Sequence, residues 1–365
     1  MEKLEINKNF WKDKRILVTG HTGFKGSWLT LWLKKLGSDI TGFSKDTPTN
    51  PSLFELSEIK NDIDSISGDL RNFNDIKKVI HDKKPEIIIH MAAQSLVPIS
   101  YENPRETYET NVMGTVNLLE SIRNEKNTCI ILNVTSDKCY ENRELSRGYV
   151  EGDKIGGHDP YSSSKGCSEL ITSAYRKSFF NSSNNQNIVS LASARAGNVI
   201  GGGDWAKERL IPDLIKSIMN NEPVKIRNPN GIRPWQHVLE PLSGYLKLIE
   251  KIEFNKDKFS ESWNFGPNEE NKPVSWIIDK ISKLYGVKCN TYVDNKKIIH
   301  ETQSLKLDCT KAKQQLGWEP KTNLEKGLEL TVEWYKQYEN NNNVRGYKWL
   351  YDGEPNNLLQ QNDSN

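Results

Sequence analysis

Residues 15–36, RILVTGHTGFKGSWLTLWLKKL, run without interruption from an apolar strand through a glycine-rich turn into an apolar-periodic helix. Arg15 to Thr19 is a short run of the kind buried on both faces of a parallel sheet. From Ser27 to Leu36 the apolar residues recur at helical spacing. Between them, Gly20 permits a tight turn, Gly23 lets the backbone approach a pyrophosphate, and Gly26 lets helix and strand pack closely. The helix start then offers free N–H groups and a partial positive charge to phosphate oxygens. Phe24 and Lys25 complete this candidate cofactor-binding turn. Its spacing is G-x-x-G-x-x-G rather than G-x-G-x-x-G. The strand before it and the helix after it make it a dinucleotide site.

Outward from that unit, strand patterns alternate with helical ones. Asp39 to Phe43, Ile63 to Gly68, Glu86 to Met91, Cys129 to Val134 and Ile188 to Ala194 read as strands. Pro104 to Arg123 and Tyr161 to Phe179 read as helices. Such alternation implies a Rossmann-like α/β fold, a doubly wound parallel sheet with helices on both faces. After Gly197 glycines and prolines become frequent and elements shorten, which marks a smaller mixed α/β lobe. The expected division is a dinucleotide-binding domain over 12–195, a substrate lobe over 196–338 and a polar tail over 339–365. His237 to Val238 and Trp263 to Phe265 are candidates to return to the first sheet.

Bulk composition excludes several classes. Fifty basic and forty-eight acidic residues in a chain of 365 leave a formal charge of +2, without the basic excess of a nucleic-acid binder. No apolar run approaches the ~20 residues that span a bilayer, and the amino terminus lacks a signal-peptide core. A cytoplasmic protein without a membrane partner is expected. The five cysteines are scattered without a C-x-x-C pair, so neither a disulfide framework nor a bound metal is expected.

Further segments fit the dinucleotide. Asp69 ends a strand beside Leu70, where its carboxylate could accept the adenine amino group; as a helix cap it would need no ligand. Ala92, Ala93 and Gln94 end the next strand with room for the cofactor backbone; the alanines would equally serve as packing residues. His90 reads as a core histidine. At the second strand end, Phe43-Ser44-Lys45-Asp46 leaves the cofactor open: Ser44 and Lys45 suit a 2′-phosphate, Asp46 a free ribose diol.

Tyr161 and Lys165 stand four residues apart on one helical face, with Pro160 suited to the helix start. An ammonium near a phenol lowers the phenol's pKa and lets it take a proton from a sugar hydroxyl. Upstream, Ser136, Asp137 and Lys138 follow a buried strand abruptly and put three proton-handling groups at a carboxyl strand end, where such sheets bind ligands. A polar loop with a capping serine and an exposed ion pair is the plainer alternative.

With these motifs in place the chain resembles the extended short-chain dehydrogenase/reductase family, nucleotide-sugar 4,6-dehydratase branch. Within that branch it is similar to the CDP-glucose 4,6-dehydratases over 21–28 (HTGFKGSW), 134–142 (VTSDKCYEN), 157–165 (GHDPYSSSK), 195–205 (RAGNVIGGGDW) and 233–238 (RPWQHV). Together these cover roughly residues 10 to 338. The resemblance implies NAD as cofactor, a nucleotide-sugar substrate, and a role in making deoxysugars for O-antigen or other surface polysaccharide. It assigns Tyr161 to the C4 hydroxyl proton as hydride leaves C4, Lys165 to the nicotinamide ribose, Ser136 to the developing carbonyl and Asp137 to the departing C6 hydroxyl. Most relatives carry Glu where this chain has Lys138, so Lys138 as C5 base and Lys138 as enolate stabiliser both stand.

In the second lobe Asn198, Arg209 and Arg233 are candidates for the substrate diphosphate, since a guanidinium fork matches phosphate geometry. Leu210-Ile211-Pro212 resembles the segment framing the nucleotide base in relatives. A homodimer or higher homo-oligomer is expected by the same resemblance, through the two long helices, whose Val112, Leu118, Leu119, Leu170 and Tyr175 are enough apolar residues for more than one face. Competing readings are a 4-epimerase, or a dehydratase of a UDP-, GDP- or dTDP-linked sugar, and a non-catalytic dinucleotide sensor. Intact Tyr161, Lys165 and Asp137 speak against the sensor.

Overall fold

A computed structural model describes residues 6–125, 128–180, 189–268, 272–293, 305–340 and 344. Seven parallel strands form its central sheet: β1 (Arg15–Thr19), β2 (Asp39–Ser44), β3 (Asp64–Ser67), β4 (Ile87–His90), β5 (Cys129–Val134), β6 (Val189–Ala196) and β7 (Ser262–Phe265). Their spatial order is β7-β6-β5-β4-β1-β2-β3. The winding direction reverses between β1 and β4, where connecting helices leave to opposite faces and open a crevice at the strand ends.

Strand alternation explains why both faces are dry. Ile16 and Val18 of β1 join one core with Ile87 and Ile89 of β4, while Leu17 and Ile88 join the other. The first core is closed by α1 (Phe24–Lys35), α6 (Leu239–Phe254), α7 (Val274–Tyr285) and α8 (Leu324–Glu339). The second is closed by α2 (Phe73–Lys83), α3 (Gly114–Arg123) and α4 (Pro160–Ser178). Helix α5 (Leu210–Asn220) packs on the strand Val224–Ile226 in the second lobe, beside Thr291–Val293.

Element boundaries moved where periodicity is silent. Helix α1 begins at Phe24, with Gly23 as its N-cap, one turn before the apolar stripe. The predicted helix over 104–123 is two α-helical pieces, Pro104–Tyr108 and α3, joined by a π turn at Glu109–Met113. Trp263 to Phe265 lies in β7, against β6. The segment at 237 stays out of this sheet: Gln236–His237 pairs with Val199–Ile200. Apart from Glu339, Asn340 and Val344, the expected polar tail lies outside the described residues. No helix among the described residues is long and apolar enough to cross a membrane.

Candidate active site

A cleft of about 1050 Å³ lies at the carboxyl ends of the strands, between the sheet and the second lobe. At one end the glycine turn has the shape a dinucleotide needs. Gly20 has φ +77°, and a Cβ there would stand 2.7 Å from the Ala92 nitrogen. A Cβ on Gly26 would stand 2.1 Å from the Gly20 carbonyl oxygen. At Gly23 a Cβ would meet only that oxygen, at 3.4 Å, so the side facing the cleft is open to an approaching phosphate.

The proton-handling residues converge in the middle. Ser136 caps the short turn Asp137–Cys139: its hydroxyl accepts from the Lys138 N–H at 3.2 Å and donates to Asp137 Oδ1 at 3.0 Å. Asp137 is 2% exposed, and its Oδ2 has no hydrogen-bond partner among the described residues. Burial raises its pKa against the pull of Lys138 and the Ser136 hydrogen bond, so the carboxyl holds its proton more firmly than an exposed one would. Lys138 is half-buried on the cleft wall. Helix α4 begins at Pro160, with the Asp159 carboxylate accepting from the Ser162 N–H at 2.9 Å.

Tyr161 and Lys165 both line the cleft from the first turns of α4. One expectation about them is overturned. Burial pushes the Tyr161 phenol up to about 12, and what works against burial is a Ser136 hydrogen bond and the Arg209 charge rather than the Lys165 ammonium. The reason lies in where that ammonium points: Lys165 Nζ donates to the Val134 carbonyl at 3.4 Å. Burial lowers its own pKa to about 8, while Glu169 supports the charged form.

The cofactor arm is lined by Phe24, Lys25, Leu70, Ala92, Ala93 and Gln94, all on the cleft wall. The Asp69 carboxylate is already held by Arg71 at 2.5 Å, which lowers its pKa. Ser44 is buried and bonded to His21 Nδ1 at 2.9 Å, while Lys45 stands near Asp46 and Glu106 at 4.0 and 3.9 Å. His90 is the core histidine expected, between Thr19 at 2.8 Å and Thr115 at 3.3 Å. Lys25 reaches past the turn, its ammonium donating to the Tyr245 hydroxyl at 3.3 Å. Burial, then Lys165 and Arg209, push its pKa down to about 7, with Asp137 opposing.

Asn198, Arg209 and Arg233 line the lobe side of the same cleft. Arg209 pairs with Asp204 at 2.9 Å and donates to the Ser95 hydroxyl at 3.1 Å, joining lobe to sheet. Arg233 donates to the Ile232 carbonyl at 2.8 Å, and the Asn198 carbonyl accepts from Gln236 N–H at 3.0 Å.

Residues 17–331 match the model of a family described as GDP-mannose 4,6 dehydratase. The chain belongs to that family. A CDP-glucose 4,6-dehydratase of Salmonella typhimurium is 54% identical over 91% of this chain and 93% of its own length. A dTDP-glucose 4,6-dehydratase of Haemophilus influenzae is 27% identical over 88% of this chain and 97% of its own. Among solved structures, the Bacillus anthracis dTDP-glucose 4,6-dehydratase in complex with NAD superposes with a TM-score of 0.73 at 24% identity, over 90% of this chain and 98% of that one. A Thermotoga maritima UDP-glucose 4-epimerase with UDP-glucose gives 0.76 at 21%, over 89% and 99%. Dehydratase and epimerase thus share this fold, and the site residues must separate them.

In this member of the 4,6-dehydratase family, sequence reading passed over the network behind the site. Glu169, 3% exposed, accepts from Thr135 at 2.5 Å, Arg195 at 2.7 Å, Ser193 at 2.9 Å and Ser262 at 3.2 Å. It stands four residues beyond Lys165 on the same stripe, a position that spacing alone could have flagged. Tyr245 and Asp204 gave no local signal, since each meets the site from a distant segment.

Proposed function

We propose that this chain is an NAD-dependent dehydratase that converts CDP-glucose to CDP-4-keto-6-deoxyglucose, a step in making deoxysugars for surface polysaccharide. The single observation that carries it is Asp137: a buried carboxyl whose pKa burial raises, beside the hydroxyl and phenol that serve C4. An epimerase, which returns hydride to the carbon it came from, has no use for an acid at a leaving hydroxyl. The 54% identical relative supports CDP-glucose as the substrate.

The glycine turn fits a pyrophosphate, and Gly20, Gly23, Phe24, Lys25 and Gly26 would hold it, with Asp69, Leu70, Ala92, Ala93 and Gln94 along the rest of the cofactor. Bound NAD supplies a hydride acceptor for C4 and, later, a hydride donor for C6. Tyr161 takes the C4 hydroxyl proton; Ser136 donates a hydrogen bond to the oxygen as it becomes a carbonyl. That carbonyl makes the neighbouring C5 proton removable, which it is not in the starting sugar. Lys138, next on the same turn, serves C5, and Asp137 gives its proton to the departing C6 hydroxyl. Arg209, Arg233 and Asn198 hold the diphosphate, and Lys165 binds the nicotinamide ribose. Because a buried phenol near 12 is a poor base, the rest of its acidity must come from positive charge gathered when substrate and cofactor bind.

The same reading extends to a cytoplasmic enzyme acting as a pair of identical chains. Exposed apolar side chains at Tyr101, Tyr108, Met113, Leu170 and Phe179, on α4 and the segments before it, support the pairing.

The test is turnover of C4-deuterated CDP-glucose in ordinary water and of unlabelled substrate in deuterated water. The label should move from C4 to C6, and one solvent deuterium should enter at C5. A product that keeps its C6 oxygen would make the chain an epimerase.

A further inference from the structure

A sugar nucleotide is an ordered rod, with sugar, diphosphate and base in line. If the sugar meets Tyr161 and Asp137 and the diphosphate meets Arg209 and Arg233, as proposed above, the base lies beyond the arginines. Arg209 is the N-cap of α5, and Asp213 follows in its first turn, about 6 Å further along the axis. The cleft there is walled by Ile211, Pro212, Val224 and Ile226, apolar surfaces suited to the faces of a planar ring.

The polar groups at this end are unequal in what they have left to offer. Lys216 Nζ donates to the Trp205 carbonyl at 2.6 Å. Arg227 and Glu208 face each other at 3.3 Å. Asp213 is half-buried on the cleft wall, and among the described residues no side chain donates a hydrogen bond to its carboxylate. The Glu208 backbone supports that carboxylate with a hydrogen bond, and its remaining lone pairs, half-buried on the cleft wall, can still take a donor from a ligand.

We propose that Asp213 is the specificity-determining residue for the nucleotide base, accepting a hydrogen bond from an exocyclic amino group and so selecting a cytosine over a uracil or thymine nucleotide. The ring position that bears an amino group in cytosine bears a carbonyl oxygen in uracil and thymine. A carboxylate gains a charge-assisted hydrogen bond from the first and faces a lone pair in the second. The expected discrimination is roughly 10- to 100-fold, the range of one hydrogen bond to a charged group. Burial first, with the Glu208 charge from the preceding turn, raises the Asp213 pKa to about 6, against Lys216 on its own helix, Arg227 just after the neighbouring strand and the Glu208 backbone hydrogen bond. The acceptor form therefore prevails at pH 8 and is lost by pH 5.

The inference rests on the dehydratase reading, and the experiment keeps the two apart. Keto-sugar formation is measured with CDP-, UDP- and dTDP-glucose for the wild type and Asp213→Asn, with NAD present. In the variant KM should rise for CDP-glucose and fall for dTDP-glucose, and the ratio of kcat/KM should drop roughly 10- to 100-fold. The wild-type preference should also narrow from pH 8 to pH 5, while that of the variant stays flat. Equal losses on all three substrates, or an unchanged ratio, overturn the assignment while the dehydratase reading stands. Absence of keto product from every nucleotide glucose with the wild type overturns both. Calorimetric binding of CDP and UDP to the two proteins gives the same comparison without turnover: an unmoved CDP/UDP affinity ratio counts against Asp213.

Discussion

A carboxyl group that is to deliver a proton must hold it more firmly than an exposed acid does, and at Asp137 burial works in that direction. The same burial is costly to the fold. Because the folded-state pKa lies above the unfolded one, its contribution favours folding at low pH and is lost as pH rises through the folded value. Asp137→Asn keeps the shape without the charge. Its thermal midpoint should exceed that of the wild type by a few degrees at pH 8, with the gap closing towards pH 4. Product formation should fall roughly 10²- to 10⁴-fold, the usual worth of a positioned general acid. A variant no more stable than wild type at pH 8 would remove the strain from this account. Tyr161→Phe loses the other proton carrier and should cut turnover by a similar factor, at the C4 step. Rapid-quench detection of cofactor reduction locates the block: reduction at the wild-type rate would take Tyr161 out of C4 chemistry.

Helix α4 presents Tyr161, Lys165 and Glu169 at four-residue intervals, so one stripe carries the phenol, the ammonium and the carboxylate behind it. Through Glu169 this helix is bonded to Thr135 after β5, to Ser193 and Arg195 of β6, and to Ser262 of β7. The Arg195 guanidinium, 3% exposed, depends on that carboxylate for charge balance. Glu169→Ala would leave it buried and unpaired, and urea unfolding should show a loss of about 3–5 kcal/mol. A loss below about 1 kcal/mol, the scale of an exposed pair, would mean the network does not hold the helix. The Tyr161 and Lys165 spacing was legible because both residues sit on one local turn. Glu169 shares that spacing but was passed over, because a carboxylate on a helix ordinarily reads as part of a solvated face. Nor could spacing show that the ring of His21 fills the space beside Gly42, where a Cβ would come within 2.4 Å of it. The two residues meet only once β2 lies beside β1.

At the scale of the molecule, the parallel sheet followed from alternating apolar runs, whose two faces form the two cores. The contribution of β7, far along the chain, was only a candidate, since a four-residue strand carries little pattern of its own. The apolar residues of the two long helices divide between two faces. Of the apolar residues counted as enough for more than one face, Leu118 and Leu119 are 0% and 1% exposed and belong to the core beneath α3. Periodicity identifies apolar residues without saying which apolar face turns inward. What is left outside is Leu170 at 59% exposed and Met113 at 50%, from α4 and the π turn ahead of α3, with Tyr101 and Tyr108 nearby in sequence. Apolar groups held at the surface by otherwise well-packed helices are stabilised by a second copy presenting the same face, because a two-fold axis brings each patch onto its equal. A charge there would be duplicated by the same symmetry and desolvated on both sides. If the chain pairs as proposed, Leu170→Glu with Met113→Glu should therefore give a monomer in sedimentation velocity where the wild type gives a dimer, with the far-ultraviolet circular dichroism unchanged. If the double variant sediments as the wild type does, the pairing runs through another face or does not occur.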